Sequence, residues 1–144
     1  MRIQTPAKIN TLLYILGKRE DGFHDLYMHT VPVNLYDTLT FTKNNKHGLN
    51  FKIKGASFSD PDEDNLVVKA VRAFEQVSRI KVNYDIFLEK KIPYGAGLGG
   101  GSGNAAGTLH ALNYIFRNST ESDGLIHPES LYEIALKIGS DVPF

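Results

Sequence analysis

Val82, Tyr84, Ile86 and Leu88 alternate with Asn83, Asp85, Phe87 and Glu89. This is the two-residue period of a half-buried strand, and the clearest strand signal in the chain. Phe51 and Ile53 alternate with lysines in the same way. Arg2 to Ile9, Thr11 to Leu16, Met28 to Leu35 and Thr38 to Thr42 are rich in apolar and β-branched residues and also read as strands. Lys18 to Gly22 is a charged turn closed by Asp21-Gly22, and Lys43 to Gly48 reads as a hairpin loop. The period changes after residue 64. Leu66, Ala70, Phe74 and Val77 recur at helical spacing behind Asp62 and Asp64, either of which would cap the helix. Ala105, Leu109, Leu112 and Phe116 line a second helical face. Pro128 to Lys137 forms a third helix, with Pro128 suited to its first turn and Gly139 to its stop. Strands first, then helix, strand, helix, helix: the pattern predicts an α+β fold.

At 144 residues the chain suits one domain. Sixteen basic residues balance sixteen acidic ones, so charge gives no argument for a nucleic-acid partner. The absence of cysteine excludes a disulfide framework and a thiolate metal site. No run of about 18 apolar residues reads as a membrane span, and the N-terminus lacks a signal-peptide pattern. A soluble, cytoplasmic protein with no membrane partner is the expectation. The last residues, Asp141-Val142-Pro143-Phe144, are not a polar, fraying tail, and the chain reads as cut short.

The chemistry concentrates between Pro93 and Gly107, PYGAGLGGGSGNAAG. A strand enters this segment and a helix leaves it near Ser102. Glycines at 95, 97, 99, 100, 101 and 103 let backbone amides approach an anion, and the helix start adds free N–H groups and the positive end of its dipole. Ser102 would cap the helix or offer its hydroxyl to a phosphate. Gly95 to Gly100 also satisfies G-x-G-x-x-G, but a dinucleotide fold wants that motif at the opening of a βαβ unit with an acid about 20 residues on. Here a strand-rich half precedes it, and Glu121 and Asp123 sit in a polar loop. No lysine follows the glycines, so the Walker pattern is absent. The plain alternative is a flexible loop or a tight helix–sheet contact.

The segment P-x-G-A-G-L-G-G-G-S-x-N-A-A resembles the second motif of the GHMP kinases. Its triple glycine is most similar to the branch that phosphorylates 4-diphosphocytidyl-2-C-methyl-D-erythritol, a cytidine-diphospho sugar alcohol of the non-mevalonate isoprenoid route. Pro6 to Asn10, followed by Arg19 to His24, resembles the N-terminal signature of that branch. Gly139 to Phe144 resembles its catalytic-aspartate motif.

The resemblance implies a GHMP-kinase N-terminal, ATP-binding domain over residues 1–144: mostly antiparallel strands with helices packed on the sheet and a glycine-rich strand-to-helix phosphate loop. It implies that a C-terminal domain is absent from this chain, leaving 1–144 alone a poor ATP binder and slow catalyst. Pro93, Tyr94, Gly95, Ala96, Gly97, Leu98, Gly99, Gly100, Gly101, Ser102 and Gly103 would wrap the ATP phosphates. Asp141 would accept the proton of the substrate hydroxyl, and Lys8 would offset negative charge on the transferring group. Asn10 would help position substrate, Phe23 would stack on cytosine, and His24 would hydrogen-bond its polar edge. Asn65 and Leu66 stand where the family lines its adenine pocket. Mg²⁺ is expected with ATP, with no protein ligand assigned.

Some positions depart from the pattern. Phe23 replaces a more frequent tyrosine, Gly103 a second serine, and Ser140 a frequent alanine. Read without the motif, Lys8 is a solvated charge, Asp141 a loop aspartate, Phe23 a core residue, and Tyr94 a packing residue at the loop entrance. Homoserine- or mevalonate-type kinases, and a non-catalytic nucleotide-binding module, are the alternative functions.

Overall fold

The computed structural model describes residues 1–20, 22–45, 48–55, 64–117 and 126–143. Four strands, β1 (Arg2–Lys18), β2 (His24–Lys43), β3 (Asn50–Gly55) and β4 (Tyr84–Lys90), form one sheet in the order β1-β2-β4-β3. Three helices, α1 (Leu66–Ser78), α2 (Gly100–Arg117) and α3 (Pro128–Ile138), complete the α+β fold. β1–β2 and β2–β4 are antiparallel, whereas β3–β4 is parallel. No helix among the described residues is long and apolar enough to cross a membrane.

The expected strand pairs at 2–9/11–16 and 28–35/38–42 are in fact two long strands. The signal breaks because the ladder bulges there. Pro6 faces Tyr36 but Ala7 faces Val33, and Asn10 faces Thr30 while Leu12 faces His29. Each bulge inserts residues on one strand and resets the alternation. Lys43 to Gly48 does not close a β-hairpin: β4 lies between β2 and β3. Ile86 of β4 pairs in register with Phe41 on one side and Phe51 on the other. The Asp85 carboxylate accepts from Asn44 and Asn50, holding the ends of both neighbours against the central strand.

Leu39, Phe41, Ile86 and Leu88 supply the sheet's core face. Val67, Val71 and Phe74 of α1 and Leu109 and Leu112 of α2 bury with them. Each large side chain so enclosed contributes about 1.5–3 kcal/mol. The predicted face Ala105, Leu109, Leu112 and Phe116 is buried throughout.

The α1 cap is neither Asp62 nor Asp64. Asn65 occupies the position, its Oδ1 accepting from the Val67 N–H at 2.9 Å. Asp64 instead pairs with Lys69. Asp62, the acidic residues 60 and 63, Asp21, the loop acids Glu121 and Asp123, and Phe144 lie outside the described residues.

β2 pairs with β4 only over Thr38–Lys43. The rest of the β1–β2 ladder projects beyond the sheet as a two-stranded arm. Its end is closed by Arg19 N–H to Phe23 O and Gly22 N–H to Arg19 O, with Gly22 at φ 87°.

Candidate active site

β1 is an edge strand, and the glycine segment covers part of that edge. The Lys8 N–H, which a neighbouring strand would otherwise take, donates to Leu98 O at 2.9 Å. Gly99 follows at φ 67°. A Cβ at Gly99 would stand 2.8 Å from Cγ and Cε of Lys8, so the missing side chain is the space through which the lysine stem passes. α2 begins at Gly100, not near Ser102. The Gly99 carbonyl accepts from Gly103 N–H at 2.8 Å, which makes Gly99 the residue before the helix and puts Ser102 inside its first turn.

The glycines are divided between two tasks. Gly95, Gly97 and Gly99 turn the chain with positive φ. Gly107 lets α2 lie close on β1: a Cβ there would come within 2.6 Å of Thr5 Cγ2. Positive-φ turns and a tight helix–sheet contact are both built into the one segment.

α3 delivers Asp141. Its start is fixed by Asn113, whose side-chain amide donates to Ile126 O and accepts from Ile126 N–H, each at 3.1 Å. Its end is Gly139, after which Val142 N–H returns to Gly139 O at 3.0 Å. Val142 is buried. Anchoring it turns Asp141 outward, where Oδ2 lies 3.2 Å from Lys8 Nζ. Lys8 is 15% exposed and Asp141 52%. An ion pair this open is worth only about 0–1 kcal/mol to stability. Its geometry suits another task, presenting a carboxylate acceptor beside a fixed cation.

The pair sits in a groove of about 1470 Å³ between the arm and the α2–α3 side, whose lining includes Gly99, Gly103, Phe23 and His24. Of the predicted site residues, Lys8 and Asp141 are thus in contact, and Phe23 and His24 share their groove. Asn10 does not line it; its side chain accepts from Thr30 Oγ1 at 2.8 Å. Pro93 to Leu98 also lie outside that lining. Tyr94 is 75% exposed. Leu66 approaches the loop, its Cδ1 3.4 Å from where a Gly101 Cβ would stand, and Asn65 is occupied as a helix cap. Away from the groove, burial pushes the Tyr84 phenol at the start of β4 above its ordinary pKa.

Sequence reasoning missed a buried polar cluster beneath the loop. Lys90 Nζ donates to Asp37 Oδ2 and to Ile92 O, each at 2.6 Å. A signal was available. The inward series Tyr84, Ile86, Leu88 reaches Lys90 at its next step, and the series Phe41, Leu39 reaches Asp37. Opposite charges on inward positions of paired strands point to a buried pair.

A family model described as GHMP kinases N terminal domain matches residues 65–144. The chain belongs to the GHMP kinase family. Members of this family take their phosphate from ATP. This GHMP domain is 41% identical over 145 residues to 4-diphosphocytidyl-2-C-methyl-D-erythritol kinase of Chlorobium chlorochromatii (strain CaD3), covering all of this chain and 47% of that relative. It is 39% identical over 144 residues to the kinase of the same name from Heliobacterium modesticaldum (strain ATCC 51547 / Ice1), covering 44% of it. A crystal structure of 4-(cytidine 5'-diphospho)-2C-methyl-D-erythritol kinase superposes with a TM-score of 0.79 at 34% identity, covering all of this chain and 48% of that one. Homoserine kinase from Cytophaga hutchinsonii shares the fold at a TM-score of 0.67 and 19% identity, covering 95% of this chain and 40% of that one. The GHMP chain spans about half the length of the curated relatives it matches.

Proposed function

We propose that this chain is the nucleotide-binding part of an ATP-dependent kinase that phosphorylates a hydroxyl of 4-diphosphocytidyl-2-C-methyl-D-erythritol. The observation that carries the reading is Lys8 Nζ at 3.2 Å from Asp141 Oδ2, in a groove that also contains Gly99 and Gly103. Phosphoryl transfer needs an aligned acceptor and positive charge around the moving group. Asp141 takes the hydroxyl proton, and Lys8 offsets charge on the phosphoryl oxygens. Amides of the Pro93–Gly103 segment and the α2 start hold the phosphates. Phe23 offers a ring face to the cytosine and His24 a polar partner, whereas Asn10, held by Thr30 outside the groove lining, is given no substrate contact. These two residues at the end of the arm favour a cytidylyl substrate over homoserine or mevalonate.

No group of three or more His, Asp or Glu side chains suited to a metal occurs among the described residues. Mg²⁺ would be carried by the phosphates and water, as this ion commonly is at triphosphate sites. Bound there, the ion would supply charge neutralisation of the triphosphate. With ATP as donor, the cytoplasm is the compartment that serves the reaction.

The test follows ADP release by the longest form of the protein with ATP and the cytidylyl substrate. Asp141→Asn is expected to lower kcat by about 10²–10⁴ with little change in KM. Unchanged kcat would sink the assignment of Asp141. An inactive wild-type protein would sink the substrate.

A further inference from the structure

Asp37 is fully buried, and all its acceptor capacity is used. Oδ1 accepts the backbone N–H groups of Lys91 at 2.7 Å and Ile92 at 2.8 Å. Oδ2 accepts from Lys90 Nζ at 2.6 Å and from Asn104 Nδ2 at 2.9 Å. Lys90 Nζ also takes the Ile92 carbonyl, so Ile92 is held at both its N–H and its C=O. Asn104 Oδ1 in turn accepts from Thr5 Oγ1 at 2.6 Å. One carboxylate therefore joins the chain as it enters the glycine segment, the second turn of α2 as it leaves, and β1 three residues before Lys8. Lys90 Nζ lies directly under the α2 start, 2.9 Å from where a Gly100 Cβ would stand.

The ion pair by itself does not account for this arrangement. A buried ion pair costs desolvation, and well-packed apolar side chains of similar volume are often as stable or more so. What apolar side chains would not do is fix the orientation of the Lys91–Ile92 peptides and the rotation of α2 about its axis. Resting on the kinase reading above, we propose that Asp37, Lys90 and Asn104 are positioning residues for the nucleotide. They preset the loop amides for a triphosphate, so that binding does not have to order them.

The test uses the full-length protein and the double variant Asp37→Leu/Lys90→Met, which removes both charges together. Thermal unfolding, equilibrium ATP titration by competition with a fluorescent nucleotide, and the two KM values are measured. The double variant leaves the Lys91 and Ile92 N–H groups and the Asn104 amide without their acceptor and should unfold at a lower temperature, yet when folded it should bind ATP about tenfold or more weakly, a change of one decade in Kd. Its KM for the cytidylyl substrate should stay within about twofold of wild type on the same scale. A folded double variant that binds ATP like wild type overturns the proposal. So does one in which both KM values rise and kcat falls together. Thr5→Val cuts only the Asn104 link and decides the matter if the double variant does not fold. A several-fold loss of ATP affinity in the folded Thr5→Val protein supports the role, and unchanged affinity rejects it. A wild-type protein that binds no ATP refutes the kinase reading instead, so the two failures are distinguishable.

Discussion

Gly99 serves three neighbours at once. It turns the chain at φ 67°, its carbonyl opens the α2 hydrogen-bond series, and its missing side chain leaves room for the Lys8 stem. Alanine there must adopt a left-handed conformation, at about 1–2 kcal/mol. It must also push Lys8 away from Asp141. Gly99→Ala is therefore expected to lose about 1–3 kcal/mol in urea unfolding. Turnover should fall by more than that loss of folded protein explains, because the displaced group is Lys8. By contrast Gly101→Ala, with 3.4 Å to the flexible Leu66, should keep wild-type stability. Equal stability of the two variants would contradict this account of Gly99. The motif around residues 6–10 and 139–144 made Lys8 and Asp141 legible in the sequence. Asp37 and Lys90 were not read, since each looks ordinary alone and only the strand register sets one against the other.

α3 carries Asp141, and the helix is held at its start by one side chain. Asn113 brackets the Ile126 peptide as a neighbouring strand would. Asn113→Ala leaves the buried Ile126 N–H and C=O without that partner, expected to cost about 1–3 kcal/mol in chemical denaturation. Hydrogen exchange should rise over 126–138 more than over α1. Unchanged protection there would show that packing of α3 on α1 and α2 suffices to hold it. The helices were readable because their apolar periodicity is local. Strand pairing was less so. The β2–β3 hairpin expectation failed because β4, more than thirty residues further on, supplies Ile86 and Leu88 to both neighbours at once. No local pattern carries that competition. The breaks read at Asn10 and near Tyr36 mark bulges, where the alternation shifts while the ladder continues.

For the molecule as a whole, the decisive feature is how open the groove is. Asp141 is half exposed, and Ile15, Leu16 and Phe23 of the arm are each more than 60% exposed. Phosphoryl transfer gains most of its rate from fixed charges in a site from which water is excluded. With the groove open, a hydroxyl near Asp141 competes with solvent, and the field of Lys8 is screened. The curated relatives are about twice as long as this chain. The 144 residues expressed alone should therefore turn over the cytidylyl substrate about 10²-fold or more slowly than a full-length relative. ATP should still compete weakly for the loop, since the proposed phosphate-binding amides and the Asp37 network beneath them lie wholly within these residues. Single-turnover ADP release and nucleotide titration separate the two effects. A rate within tenfold of the full-length enzyme would show that the groove closes over its substrates without further chain. Loss of ATP binding along with the rate would show that the loop is not preset by its own buried network.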